Sequence, residues 1–210
     1  MSPGRRTAVL VSAVLLLPAG HAAAICFRNN TSLPWLYSTL FYGAWLIACC
    51  FLFLRRTDIA GLLRRPVYQA WYLLPLLCVV PLFLFVFLPN RSLLRADGWL
   101  AAQVVLCLTG PLLEELYWRG LPAVAFRSPL LSFLFSCVLF GASHPLVFGV
   151  NSHGDSGWVA FGGTALIGGL WWLSLRRTRS LRGCILTHVL VDIAGMAVYV
   201  LADRAALLPL

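Results

Sequence analysis

Apolar residues fall in seven long runs separated by short polar or basic joints: 7–26, 33–54, 71–88, 99–120, 129–150, 158–175 and 181–201. Each run is close to the roughly 20 helical residues that cross about 30 Å of hydrocarbon. In lipid a spanning segment must satisfy its own backbone hydrogen bonds, so the runs predict α-helices. None shows the two-residue alternation of a transmembrane barrel. The expected fold class is all-α, a polytopic transmembrane helical bundle of about seven spans. No internal repeat, low-complexity tract or soluble second domain interrupts the pattern. Residues 1–97 hold about three of these helices, and 98–201 hold the other four. The first run has a second reading. Arg5 and Arg6, an apolar stretch and Ala22-Ala23-Ala24 also fit a cleaved signal peptide, although a multispanning chain usually keeps its first segment as a helix.

Composition strengthens the membrane reading. Of 210 residues, 60% are hydrophobic and 11% charged, against about 25% charged in an ordinary soluble domain; the mean hydropathy is +0.86. The net charge of +9 raises nucleic acid as a partner, but the arginines lie between apolar runs rather than in one patch. Their partner is the lipid bilayer, and no nucleic acid is expected. With the N-terminus inside, the inner side holds Arg5, Arg6, Arg55, Arg56, Arg64, Arg65, Arg119, Arg127, Arg176, Arg177, Arg179 and Arg182, and the outer side Arg28, Arg91, Arg95 and Arg204. That asymmetry is the positive-inside signature. All basic residues are arginine, a usage that suits a GC-rich bacterial genome and hence the bacterial cytoplasmic (inner) membrane. The seven cysteines form no CxxC pair and read as small hydrophobes.

Ionisable groups within spans are costly, about 2.5–3.5 kcal/mol each at a helix centre, so they mark function or pairing. The chain places Glu114, Glu115 and Arg119 in the fourth run, His144 in the fifth, and His188 and Asp192 in the seventh. Glu115 and Arg119 stand four apart and share a helix face, while Glu114 projects about 100° away toward a different partner. Gly110-Pro111 just upstream predicts a kink. His188 and Asp192 are also four apart. Gly141, Ala142 and Ser143 before His144 are small enough to let helices approach closely. Each group alone fits a structural role: an ion pair, a packing hydrogen bond, a local His–Asp contact. Two acids, a base, two histidines and an aspartate over three helices are hard to read as separate packing accidents. His21 and His153 stand apart from the pattern.

These residues carry a resemblance. Glu114-Glu115-Leu116-Tyr117-Trp118-Arg119 is similar to the EExxxR motif of the CPBP intramembrane proteases, the family of CAAX prenyl protease 2. Phe140-Gly141-Ala142-Ser143-His144 resembles its FxxxH motif, and His188-Val189-Leu190-Val191-Asp192 its HxxxN motif, with Asp in the last place. The resemblance covers roughly 98–201 and implies a glutamate-type intramembrane endopeptidase. Glu114 with His144 would activate water, Glu115 with Arg119 would hold the helix and site in register, and His188 and Asp192 would take the oxyanion position. An ionised Asp cannot donate a hydrogen bond as Asn does, so Asp192 is either protonated or orients His188, and the second reading is preferred. General-base action typically contributes about 10²–10⁴-fold. No cofactor is required by this scheme. A divalent metal such as zinc, held by Glu114, His144, His188 and Asp192, stays open, since these are allowable ligand types although no HExxH pair is present. The expected partner is a membrane-associated protein substrate, with C-terminal sorting or CAAX-like tails as the candidate class. A non-catalytic scaffold or immunity protein of the same family is the alternative, and a proton or ion transporter a weaker one.

The arginine asymmetry makes a topological prediction. Cysteine-labelling reagents that do not cross the membrane should react with sites introduced in loop 151–157 and not with sites in loop 176–182. External labelling beside Arg179 would reverse the orientation.

Overall fold

The computed structural model describes residues 1–67, 69–94, 98–152 and 155–205. Arg95 and His153, singled out above, lie outside the described residues, as does the side chain of Arg204. All regular structure among the described residues is helical. In chain order the elements are α1 (Pro3–Asn30), α2 (Pro34–Phe53), a short α3 (Arg56–Leu62), α4 (Ala70–Asn90), α5 (Leu100–Ala125), α6 (Pro129–Phe148), α7 (Gly157–Thr178) and α8 (Arg182–Ala205). Six of these, α1, α2, α4, α5, α6 and α7, are long and apolar enough to cross a membrane. The seventh run is the 24-residue α8, about 36 Å long at 1.5 Å per residue, with Arg182, Thr187, His188 and Asp192 diluting its apolar content.

The helix ends follow local chemistry. Pro3, Pro34 and Pro129 open α1, α2 and α6, where a missing N–H costs nothing. Ser128 caps α6 by accepting the Leu131 N–H at 3.4 Å. In the basic joint after α2, the Asp58 carboxylate accepts the backbone N–H of Arg55 at 2.9 Å, closing the first turn of α3. The chain leaves α7 through Arg179, whose φ of 54° is left-handed.

Regular α-geometry gives way inside three spans. Leu116–Gly120 in α5, Phe135–Leu139 and His144–Phe148 in α6, and Phe83–Phe87 in α4 are π-helical turns. The expected kink at Pro111 takes a different form: α-helix runs unbroken over Gly98–Glu115, and the irregularity begins directly after the two glutamates. Such single wide turns accommodate one extra residue and recur at functional positions.

The widened turn of α5 is the centre of the bundle. Leu116, Tyr117, Trp118, Arg119 and Gly120 are all buried. Around them pack Phe135 and Phe140 of α6, Trp171 of α7 and Leu181 ahead of α8. Trp118 and Phe135 lie 5.5 Å apart between centroids, and Trp118 and Phe140 5.7 Å. The outer surface is the reverse of a soluble protein's. Phe51, Phe85, Trp158 and Val159 are 77–90% exposed, as side chains facing acyl chains should be.

Close helix approach brings α6 and α7 together at Gly141. A Cβ there would stand 2.9 Å from the Ala165 Cβ and 3.1 Å from the Phe161 carbonyl oxygen. Gly141→Val should therefore lower thermal stability in detergent by about 1–3 kcal/mol, the usual cost of overpacking. Gly163→Val, on the same α7 with nothing within 4 Å, should change stability by far less. Equal melting of the two variants would refute the α6–α7 contact.

Candidate active site

Two carboxylates leave α5 at consecutive positions and go to different places. Glu115 points inward. Its Oε1 lies 3.1 Å from Arg119 Nη1, with both side chains fully buried. The guanidinium stacks over the Phe140 ring at 3.9 Å and faces the Trp171 ring at 4.8 Å. Desolvated cation–π contacts of this kind contribute about 2 kcal/mol or more. Space for the guanidinium comes from Gly168 of α7, where a Cβ would stand 3.0 Å from Nη2 and 2.8 Å from the Ser136 carbonyl oxygen. The Ser136 hydroxyl in turn donates to the Trp118 carbonyl at 2.7 Å, a carbonyl whose partner four residues on, Pro122, has no N–H to give.

His188 joins this pair from α8. Its Nδ1 lies 2.8 Å from Glu115 Oε1. A carboxylate only accepts, so Nδ1 carries the hydrogen. Nε2 faces the other two acids, 3.7 Å from Glu114 Oε2 and 3.5 Å from Asp192 Oδ1. The ring stacks on Trp171, with centroids 4.1 Å apart and planes at 25°. Trp171 is itself pinned by its Nε1 donating to Thr187 Oγ1 at 2.9 Å. The sequence reading gave the orientation of His188 to Asp192. In the structure the shorter contact is to Glu115, because the i, i+4 pair with Asp192 closes only to 3.5 Å while α5 presents Glu115 at hydrogen-bond distance.

Glu114, His144, His188 and Asp192 all line one cavity of about 480 Å³. His144 stands at the start of a widened turn of α6. Its Nδ1 lies 3.3 Å from the Phe140 carbonyl oxygen, and its ring meets Phe140 edge-on at 5.0 Å. Four of the six sequence-predicted residues thus share the cavity, while Glu115 and Arg119 sit behind its wall, fully buried. His21 lies elsewhere, its Nδ1 2.8 Å from the Leu146 carbonyl oxygen. Tyr42, Ser152 and Asp155 also line the cavity and escaped the sequence reading. The signal for Tyr42 was faint: Ser38, Tyr42 and Leu46 recur every four residues on the buried face of α2. Asp155 is buried to 8% exposure but sits in a joint between spans, where an acid draws no notice. Among the described residues no three His, Cys, Asp or Glu side chains converge as a metal-ligand set.

The cavity reaches the apolar surface between α2 and α5. Leu40 and Ile47 line it and are 55% and 53% exposed, and Leu106, Thr109 and Leu113 line it from α5. Polar chemistry stands at one end and an apolar wall leads to it.

Residues 96–194 match the family model described as type II CAAX prenyl endopeptidase Rce1-like. No curated protein and no solved structure matches the chain. The matched stretch takes in α5, α6, α7 and the first half of α8, and with them Glu114, Glu115, Arg119, His144, His188 and Asp192. Over these helices the chain, a multi-pass membrane protein, is similar to the type II CAAX prenyl endopeptidases of the Rce1-like family.

Proposed function

We propose that this protein is a glutamate-dependent intramembrane endopeptidase, with Glu114 as general base and His144 as its partner. The observation that carries the reading is the meeting of Glu114, His144, His188 and Asp192, from three helices, on one cavity. Groups that are expensive in lipid are there concentrated where a substrate can reach them.

In this mechanism a water between Glu114 and His144 gives up a proton as its oxygen adds to the scissile carbonyl carbon. The carbonyl oxygen takes the negative charge. Collapse breaks the C–N bond, and the proton is returned to the leaving nitrogen, so the products are a carboxylic acid and an amine, which then exchange a proton to give carboxylate and ammonium. His144 spends Nδ1 on the Phe140 carbonyl, which leaves Nε2 with a lone pair in the neutral ring to accept from that water. Glu115 and Arg119 do not touch the reacting atoms. They hold His188 and the widened turn from behind.

The substrate class that fits is a membrane-associated protein with an apolar tail, such as a C-terminal sorting or CAAX-like segment. The apolar approach between α2 and α5 supports it, since a tail can enter from lipid without first crossing water. The enzyme would act from the bacterial cytoplasmic membrane, with its N-terminus inside.

Two variants separate the roles of the paired acids. Glu114→Gln should fold and insert normally yet lose about 10²-fold or more in cleavage of a membrane peptide, because an amide cannot accept the proton. Normal cleavage by this variant would refute the general-base assignment. Glu115→Gln should lose activity and stability together. It strands Arg119 and weakens the hold on His188, and breaking a buried pair typically costs about 3–5 kcal/mol.

Restoring balance in the pair gives a further expectation. Adding Arg119→Met to Glu115→Gln should recover part of the lost thermal stability, since the stranded charge is gone, without recovering full cleavage. Melting in detergent alongside peptide cleavage for the two singles and the double measures the coupling. A fully stable and active Glu115→Gln would refute the clamp.

A further inference from the structure

We infer that Tyr42 of α2 is a further catalytic residue, its hydroxyl donating a hydrogen bond to the oxyanion that develops on the scissile carbonyl. The inference rests on the endopeptidase reading above and extends it to a helix outside the family-matched stretch.

The position of the phenol is fixed by α5. Trp118, in the same widened turn that follows the two glutamates, donates its Nε1–H to the Tyr42 hydroxyl oxygen at 2.6 Å. The Tyr42 ring is 2% exposed and meets Phe148 edge-on, centroids 4.8 Å apart and planes at 68°. A phenol oxygen that already accepts one hydrogen bond keeps its own hydrogen to give. That hydrogen is free to turn to the cavity that Tyr42 lines.

Most donors around the cavity are already committed elsewhere. A tetrahedral intermediate needs hydrogen-bond donors aimed at its oxygen. An ionised carboxylate supplies none, and Asp192 supplies one only when protonated. His188 gives its Nδ1 hydrogen to Glu115, and His144 directs Nδ1 at a backbone carbonyl. The hydroxyls of Ser38, Thr39 and Thr109 donate to carbonyls one turn back in their own helices, at 2.8, 2.9 and 2.8 Å. Gln103 lies 11 residues before Glu114 on the same helix, roughly 16 Å along the axis. Ser152 lies in the joint beyond α6 and lines the cavity with a buried hydroxyl that has no hydrogen-bond partner among the described residues, a second candidate donor. Tyr42 is held by Trp118, from the widened turn that carries Arg119, and lines the cavity with Glu114 and His144.

The test uses the full-length protein in detergent or bilayers with a cleavable membrane peptide, and compares wild type, Tyr42→Phe, Glu114→Gln and a protein carrying 3-fluorotyrosine at position 42. Loss of one oxyanion donor should lower kcat by about 10²–10³-fold. KM should change little, because the bond is made in the transition state and not before. Fluorotyrosine keeps shape and hydroxyl and should return cleavage to near the wild-type rate, whatever the folding yield of the Phe variant. Wild-type kcat in Tyr42→Phe, with Glu114→Gln inactive, would overturn the Tyr42 role and leave the protease reading standing. A raised KM with unchanged kcat would overturn it too, as would a fluorotyrosine protein as slow as the Phe variant. A wild-type protein that cleaves no membrane peptide would bring down both.

Discussion

One carboxylate oxygen organises the protein's interior. Glu115 Oε1 takes Arg119 from its own helix at 3.1 Å and His188 from α8 at 2.8 Å. A carboxylate, a guanidinium and an imidazole are thereby removed from solvent together, at a site where each alone would be prohibitive. The rest of the local structure serves that cluster. Phe140 and Trp171 supply ring faces to the cation, Trp171 also backs the imidazole, and Gly168 withholds the Cβ that would collide with the guanidinium. Four helices, α5 to α8, meet there because the charges require it, not because apolar surface drives helices together in lipid.

The division between the adjacent glutamates follows from this. Glu115 is committed inside the wall, while Glu114 Oε2 remains near the His188 Nε2 edge and the cavity. A single histidine thus touches both acids through opposite ring nitrogens. The supporting cluster and the working face are linked through one rigid ring, which is how a site gains precision from groups that never meet the substrate.

Much of this was legible in the residues. The spans emerged within a few positions of their ends because lipid permits only apolar runs of a certain length. The small shifts have local causes, such as proline at the first turn of α1, α2 and α6. The acids and histidines stood out because ionisable groups are conspicuous in hydrocarbon. Tyr42 did not, since a tyrosine in an apolar helix is ordinary and its significance lies in Trp118, 76 positions away. Nor did Asp155, placed in a joint between spans. The widened turns were invisible for another reason: hydropathy reports how apolar a helix is, and a helix apolar on most sides carries little trace of its own period.

The widened turn of α5 has a consequence for how this helix is compared with others. A uniform helical wheel drawn from Gln103 onward assigns every residue a face at 100° steps. The turn at Leu116–Gly120 absorbs one residue more than that count allows. Beyond it, Pro122 and Ala125 face a side of the bundle about 100° from where the wheel would put them. Removing one residue from within the turn would leave the length of the span almost unaltered, yet it would turn the end of α5 away from α1 and α6. Insertions and deletions in this helix are therefore matters of phase, and a chain one residue shorter would have to recover that phase elsewhere before Pro122 and Ala125 could pack as they do here.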